Sequence, residues 1–220
     1  MLDLILQYQD AYLKGILGTL KLACLTWIIG ITIGGFLGAA SYFNSNILSK
    51  LIRVLHYLVT SLPVIVILFW FHYPAQAVLQ LSINPFYTAL FVLSLINILA
   101  ISVVVEHGFL QINKGYLEVA KSYGIPEKAI ASKILIPMVI RNILPSVLTS
   151  QMTILHMTIF ASLISYEELF RVSQQINSVV YKPIEVYTIL ALFFIVISLP
   201  FILLTKKIKG NAAFKGDYNA

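Results

Sequence analysis

A chain of 220 residues that is 59% hydrophobic and 11% charged, with a mean hydropathy of +0.90, is too apolar for a soluble domain, where about 25% of residues carry charge. Its formal net charge of +6 does not point to nucleic acid, because the basic residues fall between long apolar runs and are not interleaved with exposed aromatics. The single cysteine, Cys24, lies inside an apolar run, which excludes an internal disulfide.

Residues 1–13 alternate apolar and polar side chains at roughly helical spacing. Two readings stand for them: a short amphipathic helix on the outer face, or a frayed, partly buried terminus. Asp3 and Asp10 precede the first basic residue, Lys14, the reverse of a cleaved signal peptide, so the first span is expected to remain in place. A helix needs about 20 mostly apolar residues to cross a bilayer, and five stretches qualify, at about 16–42, 54–73, 86–105, 142–164 and 186–205. The expected fold is all-α, a single domain over 1–220: a polytopic membrane protein of five transmembrane helices with one cytoplasmic coupling helix.

Within the first span Gly30, Gly34 and Gly38 recur every fourth residue beside Gly35, Ala39 and Ala40. That stripe lets another helix approach closely, and packing within the chain is preferred over a subunit contact. Asn97, in the third span, is expected to hydrogen-bond between helices. Glu106, at the end of that span, reads as a solvated or paired boundary charge.

The segments between spans separate by charge. Lys50 and Arg53 follow the first span; Lys114, Lys121, Lys128, Lys133 and Arg141 lie between the third and fourth; Lys206, Lys207 and Lys209 close the fifth. Residues 74–85 carry no charge, and 166–185 set Glu167, Glu168 and Glu185 against Arg171 and Lys182. Basic loops stay cytoplasmic, which puts the amino terminus outside and the carboxyl terminus inside. Glu168 and Arg171 then read as members of a solvated outer loop face, with contact to a binding protein as the alternative.

The loop 106–141 is the most informative segment. A helical stretch from Tyr116 to Tyr123 is closed by Gly124, and Pro126 opens a second short helix running to about Ile134. Pro137 is expected to break the chain before the fourth span. So much structure between two spans suits a surface that docks on a partner.

Glu118-Val119-Ala120, Gly124 and Ile134-Leu135-Ile136-Pro137 resemble, at every spacing, the EAA loop of ABC importer permeases. Val119 and Ile136 are conservative departures from that motif. The resemblance covers about residues 12–205 and extends to the polar amino-acid (histidine/glutamine-type) branch through Gly18-Thr19-Leu20, Lys114-Gly115 and Tyr181-Lys182-Pro183-Ile184-Glu185-Val186-Tyr187. It implies a bacterial inner-membrane permease subunit moving polar or charged amino acids by alternating access. It also implies partners: an ABC ATPase subunit, an extracytoplasmic solute-binding protein and a second permease subunit, identical or not. Glu118, Ala120, Gly124 and Pro137 are carried over as the ATPase-coupling positions.

Other positions depart from the branch. Thr60-Ser61-Leu62-Pro63 replaces its usual Arg-Gly-Thr-Pro, Val103 and Glu106 stand where it has glutamate and arginine, and of its Lys-x-Thr-Ser-Leu segment only Thr158 survives in His156-Met157-Thr158-Ile159-Phe160. His156, with Thr158 and Ser162 following it, either lines the translocation path or packs as a neutral side chain.

The chain has no Gly-x4-Gly-Lys-[Ser/Thr] phosphate loop, so ATP hydrolysis is assigned to another polypeptide and the chain is expected to be non-catalytic. No cofactor is expected, and no metal-ligand spacing occurs. Two rivals remain: a secondary transporter or channel, against which stands the lack of paired midplane charges, and a degenerate or scaffold half-permease.

Overall fold

The structure, a computed structural model, describes residues 1–44, 46–80 and 82–216. The side chains of Asn44, Asn46, Lys114, Tyr116 and residues 209–216 lie outside that description, and with them the charges read at Lys114 and Lys209. Among the described residues there is no strand. In chain order the helices are Leu2–Gln7 (α1), Gln9–Asn44 (α2), Asn46–Thr60 (α3), Val64–His72 (α4), Pro74–Leu79 (α5), Pro85–Leu110 (α6), Lys114–Ser122 (α7), Glu127–Ala129 (α8), Ile136–Met157 (α9), Leu169–Val180 (α10) and Pro183–Gly216 (α11). A π-helical turn, Ile130–Leu135, precedes α9, and a 3₁₀ segment, Thr158–Ile164, follows it.

Among the described residues four helical stretches are long and apolar enough to cross a bilayer, Gln9–Phe43, Pro85–Leu110, Glu127–Ile164 and Pro183–Ile208, and a fifth if the bent pair Ile47–Thr60 and Val64–Leu79 is one span. The expected second span, 54–73, is not one rod. Its helix ends at Thr60 and resumes at Val64 with a bend of 93° between Ile47–Thr60 and Val64–Leu79. The cause is Pro63, which has no amide hydrogen and holds Leu62 away from helical torsions. At the end of α3 the hydroxyls of Thr60 and Ser61 donate to His56 O and Tyr57 O, each at 2.7 Å, and Leu62 N donates to Val59 O at 3.3 Å.

α6 is the central post, with 61% of its most apolar window buried against 17% for α11 at the periphery. Asn84 caps it by accepting from the Phe86 amide at 2.9 Å, and Pro85 stands in its first turn. α2 lies against α6 along the glycine stripe. A Cβ added to Gly30 would sit 2.1 Å from Asn97 Nδ2, one on Gly34 2.6 Å from Ile98 O, and one on Gly38 2.5 Å from Ser102 O. The stripe therefore serves packing within the chain, as the spacing suggested. Gly35, on another face, has nothing within 4 Å of that position.

The apolar interior has three main parts. Leu22, Leu68, Val92, Leu93 and Ile164 join α2, α4, α6 and the 3₁₀ segment. Leu4, Tyr12, Leu169, Ile176 and Val186 tie α1 and the start of α2 to α10 and α11. Ile101, Phe109, Ala120, Ile130 and Val139 bind the end of α6 to the segment that follows it. Leu4 and Tyr12 are both buried and Met1 N pairs with Glu185 at 2.9 Å, so the amino-terminal residues are a docked helix.

Two further expectations are corrected here. Pro137 does not break the chain, because helix continues from Glu127 to Ile164. A proline at 137 cannot donate to the carbonyl four residues back, and the wider π turn before it absorbs the misfit, with Ile136 N donating to Ala131 O. Glu168 is not part of a solvated face either, since it is fully buried.

Candidate functional site: the helical knob after α6

α6 ends at Leu110, and Asn113 starts α7 by accepting from the Gly115 amide at 2.9 Å. Gly124 closes α7 with φ of +72°, a torsion that favours glycine. Gly124 N donates to Lys121 O at 2.9 Å and Ile125 N to Ala120 O at 3.2 Å, the paired bonds of a Schellman cap. The chain thus turns sharply into Pro126 and α8. Lys121 Nζ bridges the turn to Glu127 Oε1 at 2.9 Å. That hydrogen bond raises the Lys121 ammonium and lowers the Glu127 carboxyl from their ordinary values, but both are exposed and water-screened, so the pair fixes geometry more than stability.

The two sides of this knob differ. Ala120 is 6% exposed and packs inward with Phe109, Ile112, Ile130 and Leu135. Glu118 is exposed, and Val119 and Tyr123 present 58% and 82% of their surface outward. Pro137 is also exposed, a full π turn farther along. Of the four sequence-predicted coupling residues, Pro137 is exposed in the first turn of α9, while Ala120 and Gly124 shape the turn of the knob and Glu118 lies at its surface. Behind it a cleft of about 310 Å³ opens between Tyr42, Phe43, Leu117, Lys121, Glu127 and Leu135.

His156, Thr158 and Ser162 do not share one surface. His156 is exposed at the end of α9, with Nε2 3.2 Å from Ser198 Oγ of α11 and its ring 6.1 Å from Phe194. Thr158 and Ser162 are buried, and their hydroxyls donate to Leu155 O and Ile159 O, each at 2.7 Å. The tighter 3₁₀ winding after Met157 turns these two inward.

Two buried polar groups hold the spans that carry the knob. Asn97 Nδ2 donates to Thr26 O at 3.1 Å and to Gln151 Oε1 at 2.9 Å, while Gln151 Nε2 returns a bond to Asn97 Oδ1 at 3.2 Å. This amide pair joins α2, α6 and α9, with Trp27 Nε1 donating to Gln151 O at 3.0 Å. Asn97 was legible as an interhelical donor; Gln151 was missed, though an amide within an apolar run is the same signal. Glu106 is paired and not solvated: it is 3% exposed, accepts from Ser49 Oγ, and lies 3.8 Å from Arg53 Nη2.

On the opposite side of the chain, Glu168 caps α10, its carboxylate accepting from Phe170 N and Arg171 N at 2.8 Å each. Burial pushes this carboxyl up to about 7, against the lowering effect of those two amides and the Arg171 charge. The cap is docked on α2, where Leu169 N donates to Thr19 Oγ1 at 3.1 Å and Tyr166 Oη to Gly18 O at 3.0 Å. A Cβ on Gly18 would meet Glu167 O at 2.3 Å. Gly18-Thr19 is therefore a packing joint.

Comparison with known proteins fits this geometry. A family model described as binding-protein-dependent transport system inner membrane component matches residues 30–209. The probable glutamine ABC transporter permease protein GlnP of Bacillus subtilis (strain 168) is 27% identical over 181 residues, covering 80% of this chain and 82% of that protein. The histidine/lysine/arginine/ornithine transport system permease protein HisQ of Escherichia coli (strain K12) is 25% identical over 187 residues, with 80% and 82% covered. Among solved structures, an amino acid ABC transporter with histidines has a chain that superposes with a TM-score of 0.83 at 23% identity, covering 94% of this chain and 96% of that one. A chain of the MetNI methionine ABC transporter in an inward-facing conformation gives 0.71 at 17% identity, with 92% and 98% covered. At those identities the structures speak for the fold alone.

Proposed function

From the premise that the chain belongs to the family of binding-protein-dependent transport system inner membrane components, we propose that it is the permease subunit of an ABC importer that carries a polar or charged amino acid. It works by alternating access with an ABC ATPase on the cytoplasmic side, a solute-binding protein outside and a second permease subunit beside it. The amino terminus faces outward and the carboxyl terminus lies in the cytoplasm. ATP is hydrolysed by the partner, and this chain transmits the stroke.

The observation that supports this reading is the knob of α7 and α8. It is rigidly capped at Gly124, anchored inward through Ala120, and outwardly apolar at Val119 and Tyr123. An exposed apolar tip with a stiff root is what a mechanical contact requires: the tip gives adhesion, and the root carries force into α6 and α9. Glu118 and Pro137 complete the contact. His156 is assigned to the solute path, and Thr158 and Ser162 to the segment that positions it.

The test is reconstitution of the chain with its ATPase and binding protein in liposomes, followed by ATP-driven uptake of labelled amino acids. Uptake that stops without ATP or without the binding protein is the expected result. Uptake that persists without ATP would favour a gradient-driven carrier instead. A second reading draws on Glu106, whose carboxylate is already engaged by Ser49 and Arg53: this half couples to the ATPase while an unlike partner half supplies the charged contacts to solute. Uptake by the chain as its own homodimer would exclude that reading.

A further inference from the structure

The exposed face of α9 changes character at membrane depth. Between Pro145 and Ile159 every exposed residue is polar: Ser146, Thr149, Thr153 and His156. Asn142, also exposed, stands one turn before Ser146, so the five recur at spacings of four and three along one face of the helix. α11 shows the opposite. From Ile189 to Leu204 each of its exposed residues is apolar, Leu192, Ile195, Val196 and Leu199 among them. Hydrocarbon accounts for the second face and not for the first, because a polar side chain turned to lipid lacks the partners that water supplies.

The polar face also has a chemical bias. Thr149 Oγ1 donates to Pro145 O at 2.9 Å and Thr153 Oγ1 to Thr149 O at 3.1 Å, so both hydroxyl protons are held by the helix and the lone pairs are left to accept. From Lys128 to Ile164 the chain carries no carboxylate. Glu106, the acid near the end of α6, is buried and engaged by Ser49 and Arg53. Arg141, exposed next to Asn142, adds a positive charge at the end nearest the knob. A guanidinium or ammonium side chain passing along this face meets uncharged acceptors and one like charge, with no carboxylate to offset its lost hydration. A carboxamide or hydroxyl side chain loses less hydration and is matched by the same acceptors.

We propose that Asn142, Ser146, Thr149, Thr153 and His156 form a water-lined face along which this chain passes a zwitterionic amino acid with an uncharged, hydrogen-bonding side chain, and that the face disfavours a cationic one. Naming the solute class in this way rests on the importer reading, whereas the wetting of the face stands apart from it.

The experiment uses the full chain, assembled with its ATPase in proteoliposomes, with Thr149→Cys, Thr153→Cys or Val196→Cys made singly in a Cys24→Ser background. A membrane-impermeant anionic thiosulfonate is the probe. The thiols at 149 and 153 are expected to react about tenfold faster than the one at 196, since a thiol in apolar surroundings stays protonated and inert. Millimolar glutamine should slow the reaction at 153 about fivefold and arginine less than about twofold. Thr153→Glu, read through the thiol at 149, should reverse that order by supplying the missing carboxylate. Equal protection by the two solutes would overturn the solute class, as would an unchanged order in Thr153→Glu. Thiols at 149 and 153 as slow as the one at 196 would mean that a second subunit or lipid covers the face, and would overturn it. Fast reaction at 149 and 153 in a chain with no ATP-driven uptake would instead remove the importer reading and leave the wet face standing.

Discussion

Gly34 and Gly35 are neighbours in sequence with opposite surroundings. A methyl group on Gly34 meets the Ile98 carbonyl oxygen at 2.6 Å, part of a backbone that cannot rotate aside, whereas one on Gly35 meets open space. Gly34→Ala should therefore push α2 from α6 and destabilise the chain by about 1–3 kcal/mol, while Gly35→Ala stays within about 0.5 kcal/mol of wild type. Thermal unfolding in detergent separates the two, and equal losses would mean the stripe does not set the approach. Glu168 gives a second test of a single side chain. Its carboxyl is raised from 4.5 to about 7 by burial, so the uncharged form is the one the fold favours. Its contribution is complete below its unfolded value and is lost as pH rises through the folded one. The unfolding temperature should fall between about pH 5 and about pH 8, and Glu168→Gln should flatten that slope. A slope unchanged in the variant would assign the titration elsewhere.

At the scale of elements, the knob depends on one torsion. Gly124 at φ +72° has no neighbour within 4 Å, so a substitution there is resisted by backbone strain alone, about 1–2 kcal/mol for a residue with a Cβ. Gly124→Leu should leave the chain inserted in the membrane yet sharply reduce ATP-driven uptake, because the tip is re-aimed while the spans are untouched. Full uptake in that variant would remove the coupling role. This element was also the one most legible in the sequence, since a glycine–proline punctuation between amphipathic turns dictates a capped helix–turn–helix whatever lies around it. Less local features were not legible. Pro63 and Pro137 look alike in sequence, but one lies at a 93° bend and the other sits in a continuous helix. The difference is the π turn before Pro137, whose wider winding has Ile136 N donating to Ala131 O and accommodates a residue without an amide hydrogen. The burial of Glu168 was hidden for a similar reason: a carboxylate in a loop reads as solvated until two amides and the Gly18-Thr19 joint enclose it. Thr158 and Ser162 read as polar groups of a span, and a change of winding after Met157 turned them inward.

For the whole molecule, the alternation of basic and neutral connections predicts which connections share a side. Cysteines placed at Ser122 and Ser178, with Cys24→Ser as background, test it in intact cells. Cysteine at 178 should react with an impermeant maleimide, and cysteine at 122 should react only after the membrane is opened. The reverse pattern would invert the topology and with it the assignment of α7 to the ATPase.

The elbow between α3 and α4 has a consequence at this scale too. Each peptide dipole in a helix points along its axis, so in an unbroken rod the interior dipoles cancel and only the ends carry partial charge. Where two half-rods meet at a right angle, the negative end of the first and the positive end of the second remain as separate poles. These poles belong to the main chain and survive any change of side chain at 60–63 short of straightening the bend. A region whose side chains are neutral there thus keeps a permanent electric field, oriented by the path of the backbone.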